Sequence, residues 1–174
     1  MPLRKQAGAV AMPPPRTLSM PTNSNPEHGG PTAVSTTHQV QVHWKENMAF
    51  DAEANGEHLP LDAAPEHGGT GPGFRPKQLL LTALAGCTAM DVVAILRKMR
   101  EPLKHFDVRV EGDLNDGQPA VYERLRIVYE FSRSDGLAPA KVERAVALSQ
   151  EKYCGVSAML RKASELTHEI RFID

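Results

Sequence analysis

The sequence predicts an α+β fold with mostly antiparallel strand pairing, and three observations carry that prediction. Residues 76–100 form one long apolar stretch rich in helix formers, short runs of alternating apolar and polar residues flank it on both sides, and Asn115-Asp116-Gly117 joins two of those runs as a hairpin. The 174 residues, 41% hydrophobic and 24% charged, suit one domain preceded by a tail. A net charge of −1 gives no reason to expect a nucleic-acid or membrane-surface partner.

Residues 1–36 read as a disordered or extended tail, because Pro13-Pro14-Pro15, Pro21, Pro26 and Pro31 break any helix. Those prolines also oppose the amphipathic helix of an import leader, and the first thirty residues hold no apolar run suited to a secretory signal. A cytoplasmic location is expected. The folded domain is expected over residues 37–174. Val40, Val42 and Trp44 alternate with Gln39, Gln41 and His43 as a half-buried strand; Met48, Phe50 and Ala52 suggest a second, and Glu57 to Leu61 a third. Residues 62–75 are glycine-rich, lack the Lys-Ser/Thr pair of a phosphate-cradling loop, and read as a mobile loop.

The long helix is expected from Pro76, which suits a first turn, to Arg100, with Arg97, Lys98 and Arg100 meeting the negative end of the dipole and Pro102 stopping it. Leu79 to Leu96 is apolar on nearly every face, which predicts burial on most sides. That stretch reaches roughly 27 Å, just short of a bilayer core, and Asp91 near its middle favours a core helix over a membrane span. Phe106, Val108, Val110 and Leu114 then mark a strand, and Val121, Leu125, Ile127, Tyr129 and Phe131 share one face of a longer one, with Arg124 and Arg126 opposite. Leu137 to Tyr153 reads as a helix with Val142, Ala145, Val146 and Ser149 inward; Gly155 interrupts it, and Val156 to Lys162 can add a turn or two. Leu166, His168, Ile170 and Phe172 close the chain as a strand. One sheet covers one side of an all-round apolar helix, so a domain this small is expected to pair with a second copy as a homodimer.

Two cysteines, Cys87 and Cys154, stand 67 positions apart. A pair of thiols is the equipment of peroxide reduction: a thiolate attacks the O–O bond, becomes a sulfenic acid, and a second thiol condenses with it to a disulfide. Two small buried hydrophobes in a reducing cytosol are the other reading of the same residues. Cys154 is expected at the start of a helical turn, where backbone N–H groups lower a thiol pKa. Cys87 lies mid-helix with Asp91 one turn later, a carboxylate that would raise its pKa; Arg75, Lys45 or an arginine of a partner chain are the candidate cations. Asp91 itself reads as a hydrogen-bonding anchor. A metal site from the cysteines with His43, His58, His67, His105 or His168 lacks any tight ligand spacing and is not expected.

Two segments, P-K-Q-L-L-L-T-A-L-A-G-C-T-A-M-D-V (Pro76–Val92) and L-S-Q-E-K-Y-C-G-V-S-A-M-L (Leu148–Leu160), resemble in order and spacing the OsmC/Ohr family, specifically its OsmC-like (YhfA-like) branch, over residues 37–174. The resemblance implies the OsmC-like fold, an intertwined homodimer with antiparallel sheets wrapped around two long central helices. It further implies thiol peroxidase activity toward organic hydroperoxides, with Cys87 matching the attacking cysteine and Cys154 the resolving one. A dithiol of lipoyl or thioredoxin type would be the reductant, and no metal or organic cofactor is implied. The chain departs from the family's organic hydroperoxide reductases at two places. Their activating Arg has no counterpart, since no arginine lies between Thr17 and Phe74, and their Glu has none either, since the helix opens Pro76-Lys77-Gln78. Arg75, Gln78 and Asp91 are left as supporting residues. A non-enzymatic dimeric module that binds small apolar ligands or responds to redox state is the alternative function.

Overall fold

Three strands, a long helix, two strands, a broken helix and a last strand follow one another in the computed structural model, which describes residues 36–174. The tail expected over residues 1–36 lies outside the described residues except at Thr36. β1 (Gln41–Glu46), β2 (Ala49–Ala54) and β3 (Glu57–Leu61) pair antiparallel in that order. The β2–β3 turn is Asn55-Gly56, with φ of 54° and 80°, the left-handed pair that a two-residue type I′ hairpin requires.

The loop after β3, read as mobile, is instead folded round one carboxylate. Asp62 accepts backbone N–H bonds from Ala63 at 2.7 Å, from Thr70 at 3.1 Å and from Gly71. Those bonds, Gly71's foremost, hold the Asp62 carboxyl below its ordinary value. A Cβ at Gly69 would stand 1.7 Å from the Ala63 carbonyl oxygen, so the chain can pass there only as glycine.

α1 (Pro76–Lys98) is the long helix. Its end is a Schellman motif carried by a non-glycine: Arg100 has φ of 58°, its N–H bonds Arg97 O at 3.0 Å, and the Glu101 N–H bonds Leu96 O at 3.0 Å. β4 (Phe106–Leu114) and β5 (Tyr122–Ser132) form the anticipated antiparallel hairpin. α2 (Pro139–Leu148) and α3 (Gly155–Leu160) follow, and β6 (Glu165–Ile173) joins β5 on its free side. That last pairing is the one parallel pair among the described strands, in a fold that is otherwise antiparallel as expected: a parallel neighbour needs a long crossover, and α2 and α3 supply it.

The core lies on one side of the β4–β6 sheet. Leu125, Ile127, Tyr129 and Phe131 of β5 pack with Leu84, Val92 and Leu96 of α1 and with Val142, Ala145 and Val146 of α2, all of them essentially unexposed. The opposite face carries ion pairs, among them Arg126 with Glu111 and Glu169, and Arg171 with Glu130 and Glu169. Two burial expectations fail within the single chain. α1 is buried only along Leu84, Thr88, Val92 and Leu96, while Leu80 is 48% and Met90 70% exposed. The strand read as half-buried shows its apolar face instead, with Val42 50% and Trp44 65% exposed. The reason is common to both: α2 and the β4–β6 sheet cover a single face of α1, and among the described residues no helix packs broadly on β1–β3. By length and composition α1 is also apolar enough to cross a membrane.

Candidate functional site

Thr88 belongs to the buried stripe of α1, and Cys87 and Asp91, one helical turn apart, border it as half-buried residues. The second cysteine arrives by a distortion. After Leu148 the chain widens into one π-helical turn, Ser149–Tyr153, in which the Cys154 N–H reaches back five residues to Ser149 O at 2.8 Å. Cys154 then goes extended (φ −72°, ψ 97°) and caps α3, its sulfur accepting the Ser157 N–H at 3.3 Å. The interruption falls one residue earlier than expected, at Cys154 itself, and Gly155 is the first residue of α3; the wide turn is what aims Cys154 back at α1.

The result is a compact triad of acidic groups. The sulfurs of Cys87 and Cys154 and a carboxylate oxygen of Asp91 lie within 4.8 Å of one another. Both thiols are free, and Cys154 is only 3% exposed. Burial pushes the Cys87 thiol above its ordinary value; the Val156 N–H opposes that shift, and Cys154 and Asp91 add to it.

A buried polar network fixes this triad from behind. Ser149 Oγ donates to Asp91 Oδ2 at 3.0 Å and stands 2.9 Å from Thr88 Oγ1, which lies 2.5 Å from Tyr129 Oη. Gln150 Nε2 donates to Thr88 Oγ1 at 3.0 Å and to Tyr129 Oη at 2.7 Å. Arg161 closes the chain, its guanidinium donating to the Gln150 carbonyl and to Gln150 Oε1, each at 3.1 Å. Burial drives the Tyr129 phenol up to about 12, so it works as a neutral hydrogen-bonding group. Ser157 Oγ is the exception, buried with no partner among the described residues.

Asp91 is therefore the anchor the sequence suggested, but the rest of its network was not read there. Tyr129 and Ser149 were visible as polar groups on inward faces; Thr88, Gln150 and Arg161 were assigned no role, and the π turn is what brings Gln150 in. Within the chain, Arg75 and Lys45 are engaged away from the thiols. Arg75 lies twelve residues before Cys87, about 18 Å along the helix axis, and its guanidinium donates to Gly73 O at 2.8 Å. Gln78 sits about 14 Å away on the same axis, its carbonyl bonded by the Thr82 hydroxyl. Lys45 pairs with Asp51 at 3.7 Å. The histidines are dispersed: His43 faces Glu53, His58 faces Asp51, His105 faces Asp135, and His168 lies edge-on to Tyr129. A cavity of about 340 Å³ adjoins the triad, lined by Asp91, Ala94, Ile95, Lys98, Met99, Leu148 and Tyr153.

A family model described as OsmC-like protein matches residues 68–169, a span that takes in α1, both cysteines and β4, β5 and α2. The chain belongs to the OsmC-like family. It is 34% identical over 136 residues to the protein YhfA of Escherichia coli (strain K12), an alignment covering 78% of this chain and 98% of YhfA. The OsmC-like protein from Mycoplasma pneumoniae superposes with a TM-score of 0.70 at 14% identity, over 81% of this chain and 100% of that one. An organic hydroperoxide resistance protein OsmC from Legionella pneumophila superposes with a TM-score of 0.58 at 20% identity, over 80% and 98% of the two chains. These two structures share the OsmC-like fold with the present chain, and the motifs around Cys87 and Cys154 are the ones through which the family was legible.

Proposed function

We propose that this OsmC-like chain reduces organic hydroperoxides through its two thiols, as a homodimer, in the reducing cytoplasm. The observation that carries the reading is the approach of the Cys87 and Cys154 sulfurs, within 4.8 Å, one from the middle of α1 and the other from the start of α3. The name of the Legionella protein, a hydroperoxide resistance protein of the same fold, supports the substrate class. The Cys87 thiolate attacks the peroxide O–O bond, giving the Cys87 sulfenic acid and, after protonation, the alcohol ROH. The Cys154 thiol then displaces water from the sulfenic sulfur, and the disulfide forms. A lipoyl- or thioredoxin-type dithiol reduces that disulfide and is itself oxidised. Cys87 is the attacking thiol because it is the more exposed of the two, and Cys154 resolves from beneath. Closing the disulfide to about 2.05 Å asks for a shift of under about 3 Å, within reach of side-chain rotation and a flexing of the π turn.

The homodimer is supported by the uncovered apolar surface: Leu80 and Met90 on α1 and Trp44 on β1 are left exposed by the described residues. Cumene hydroperoxide consumption with dihydrolipoamide tests the enzyme. Turnover is expected in the wild type and absent in Cys87→Ser, and Cys154→Ser is expected to stop after one equivalent with a dimedone-trappable sulfenic acid. Wild-type consumption no faster than Cys87→Ser would remove the proposal. A second reading, a binding module for small apolar ligands, is favoured by the 340 Å³ cavity. A ligand retained in native mass spectra together with no peroxide turnover would select it.

A further inference from the structure

We infer that the reduced Cys87–Asp91–Cys154 triad is a zinc site, in which Zn²⁺ caps both thiols and protects them from oxidation. Three potential ligand atoms, two sulfurs and one carboxylate oxygen, already lie within 4.8 Å of one another on half-buried and buried residues. Tetrahedral zinc, with Zn–S of about 2.3 Å and Zn–O of about 2.1 Å, sets such atoms about 3.5 to 3.8 Å apart. The triad needs to close by roughly an ångström to meet that geometry. Cys87 and Asp91 supply two ligands from one helix face at i and i+4, and the π turn presents the third from a second element.

Three further features suit a metal. Asp91 forms no ion pair among the described residues, so deprotonating the two thiols beside its carboxylate gathers negative charge at one point. Its carboxylate is oriented by Ser149, the outer partner that metal-bound carboxylates usually carry. The adjoining cavity of about 340 Å³ gives Asp91 an opening through which an ion and a fourth, water ligand can enter. Thiolates select a soft cation over magnesium or calcium, and zinc has no redox chemistry with which to oxidise them. Binding is a proton exchange: Zn²⁺ and two thiols give a zinc dithiolate and two protons, and no electron moves. The disulfide form, with neither thiolate, cannot bind.

The site does not depend on the peroxidase reading, since metal loading is measured with no peroxide present. Co²⁺ titrated into the reduced full-length protein is the probe, with Zn²⁺ as competitor. One Co²⁺ per chain is expected, with sulfur-to-cobalt charge-transfer absorption and the intense visible bands of a tetrahedral ion, both abolished by Zn²⁺. Cys87→Ser and Cys154→Ser are expected to lose the charge-transfer band. Ser149→Ala, folded by circular dichroism, is expected to weaken zinc about 10- to 100-fold, and zinc is expected to slow iodoacetamide labelling of Cys87. A protein that gives no cobalt spectrum, or one unchanged in Cys87→Ser, overturns the inference. Zinc binding without hydroperoxide turnover keeps the metal site and removes the peroxidase; turnover without binding does the reverse.

Discussion

Two three-stranded sheets in this chain are written in the same alternating code and meet opposite fates. In β4–β6 the apolar face is sealed by α1 and α2, and Leu125, Ile127, Tyr129 and Phe131 lose almost all contact with water. In β1–β3 the apolar face is left open, with Trp44 and Val42 at least half exposed. Period-two alternation states which face of a strand is apolar; it does not state what covers it. A contiguous apolar face left open to water marks a surface that another body covers, and the bare side of α1 presents the same deficit. Both deficits are met together if a second copy lays its own helix and sheet against them, which is the physical content of the proposed homodimer.

The largest effect should come from the sealed side. Phe131 is fully buried and stacked on Phe106 at 4.6 Å between ring centroids. Phe131→Ala is expected to cost about 3 to 5 kcal/mol, read from urea denaturation. Trp44→Ala, measured at protein concentrations low enough to dissociate any dimer, should stay within about 0.5 kcal/mol of wild type. Equal losses at the two positions would mean that the open face is covered within the chain after all, and the contrast would fall.

The next effect tests what covers the open side. Met90 is 70% exposed on α1, outside the buried stripe of that helix. Met90→Glu is expected to convert the dimer to monomer in sedimentation velocity, with the helical circular dichroism retained. The reason is that an unpaired carboxylate would be buried in the interface. A wild-type protein already monomeric at tens of micromolar, or a variant that still dimerises, would break the proposed pairing.

What the sequence made legible follows the same division. The extent of α1 was readable to within two residues because Pro76 opens it and Arg100 and Pro102 bound its end, and the β4–β5 hairpin was readable from its turn. The direction of β6 was not, since alternation is the same for parallel and antiparallel neighbours and only the crossover decides between them. At the site, the sequence named Cys87, Cys154 and Asp91, and the chain brings these three together. Of the supporting residues it named, Arg75 and Gln78 sit turns away from Cys87 along a rigid helix and make local contacts within the chain. It missed Gln150 and Arg161 because their entry depends on the π turn, which no residue pattern announces.

The smallest effect separates the two regions by acid. Each has a loop tied to one carboxylate: Asp62 at the edge of β1–β3, and Asp135 beside the core, where it accepts the N–H groups of Lys104 at 2.7 Å and His105 at 2.8 Å. In Asp135 the His105 N–H bond is the leading cause that holds the carboxyl below its ordinary 3.8, and in Asp62 it is the Gly71 N–H bond. A depressed carboxyl stabilises the fold fully above the unfolded value of 3.8, and that contribution is lost as the pH falls below it through the folded pKa. Thermal midpoints should therefore drop below about pH 4, and Asp135→Asn should flatten that acid limb by removing the group that titrates. Asp62→Asn should instead act locally, speeding amide exchange at Thr70 and Gly71 while the core strands keep their protection. If Asp62→Asn exposed the β4–β6 amides as well, the two sheets would be one cooperative unit, and their difference in burial would carry no difference in stability.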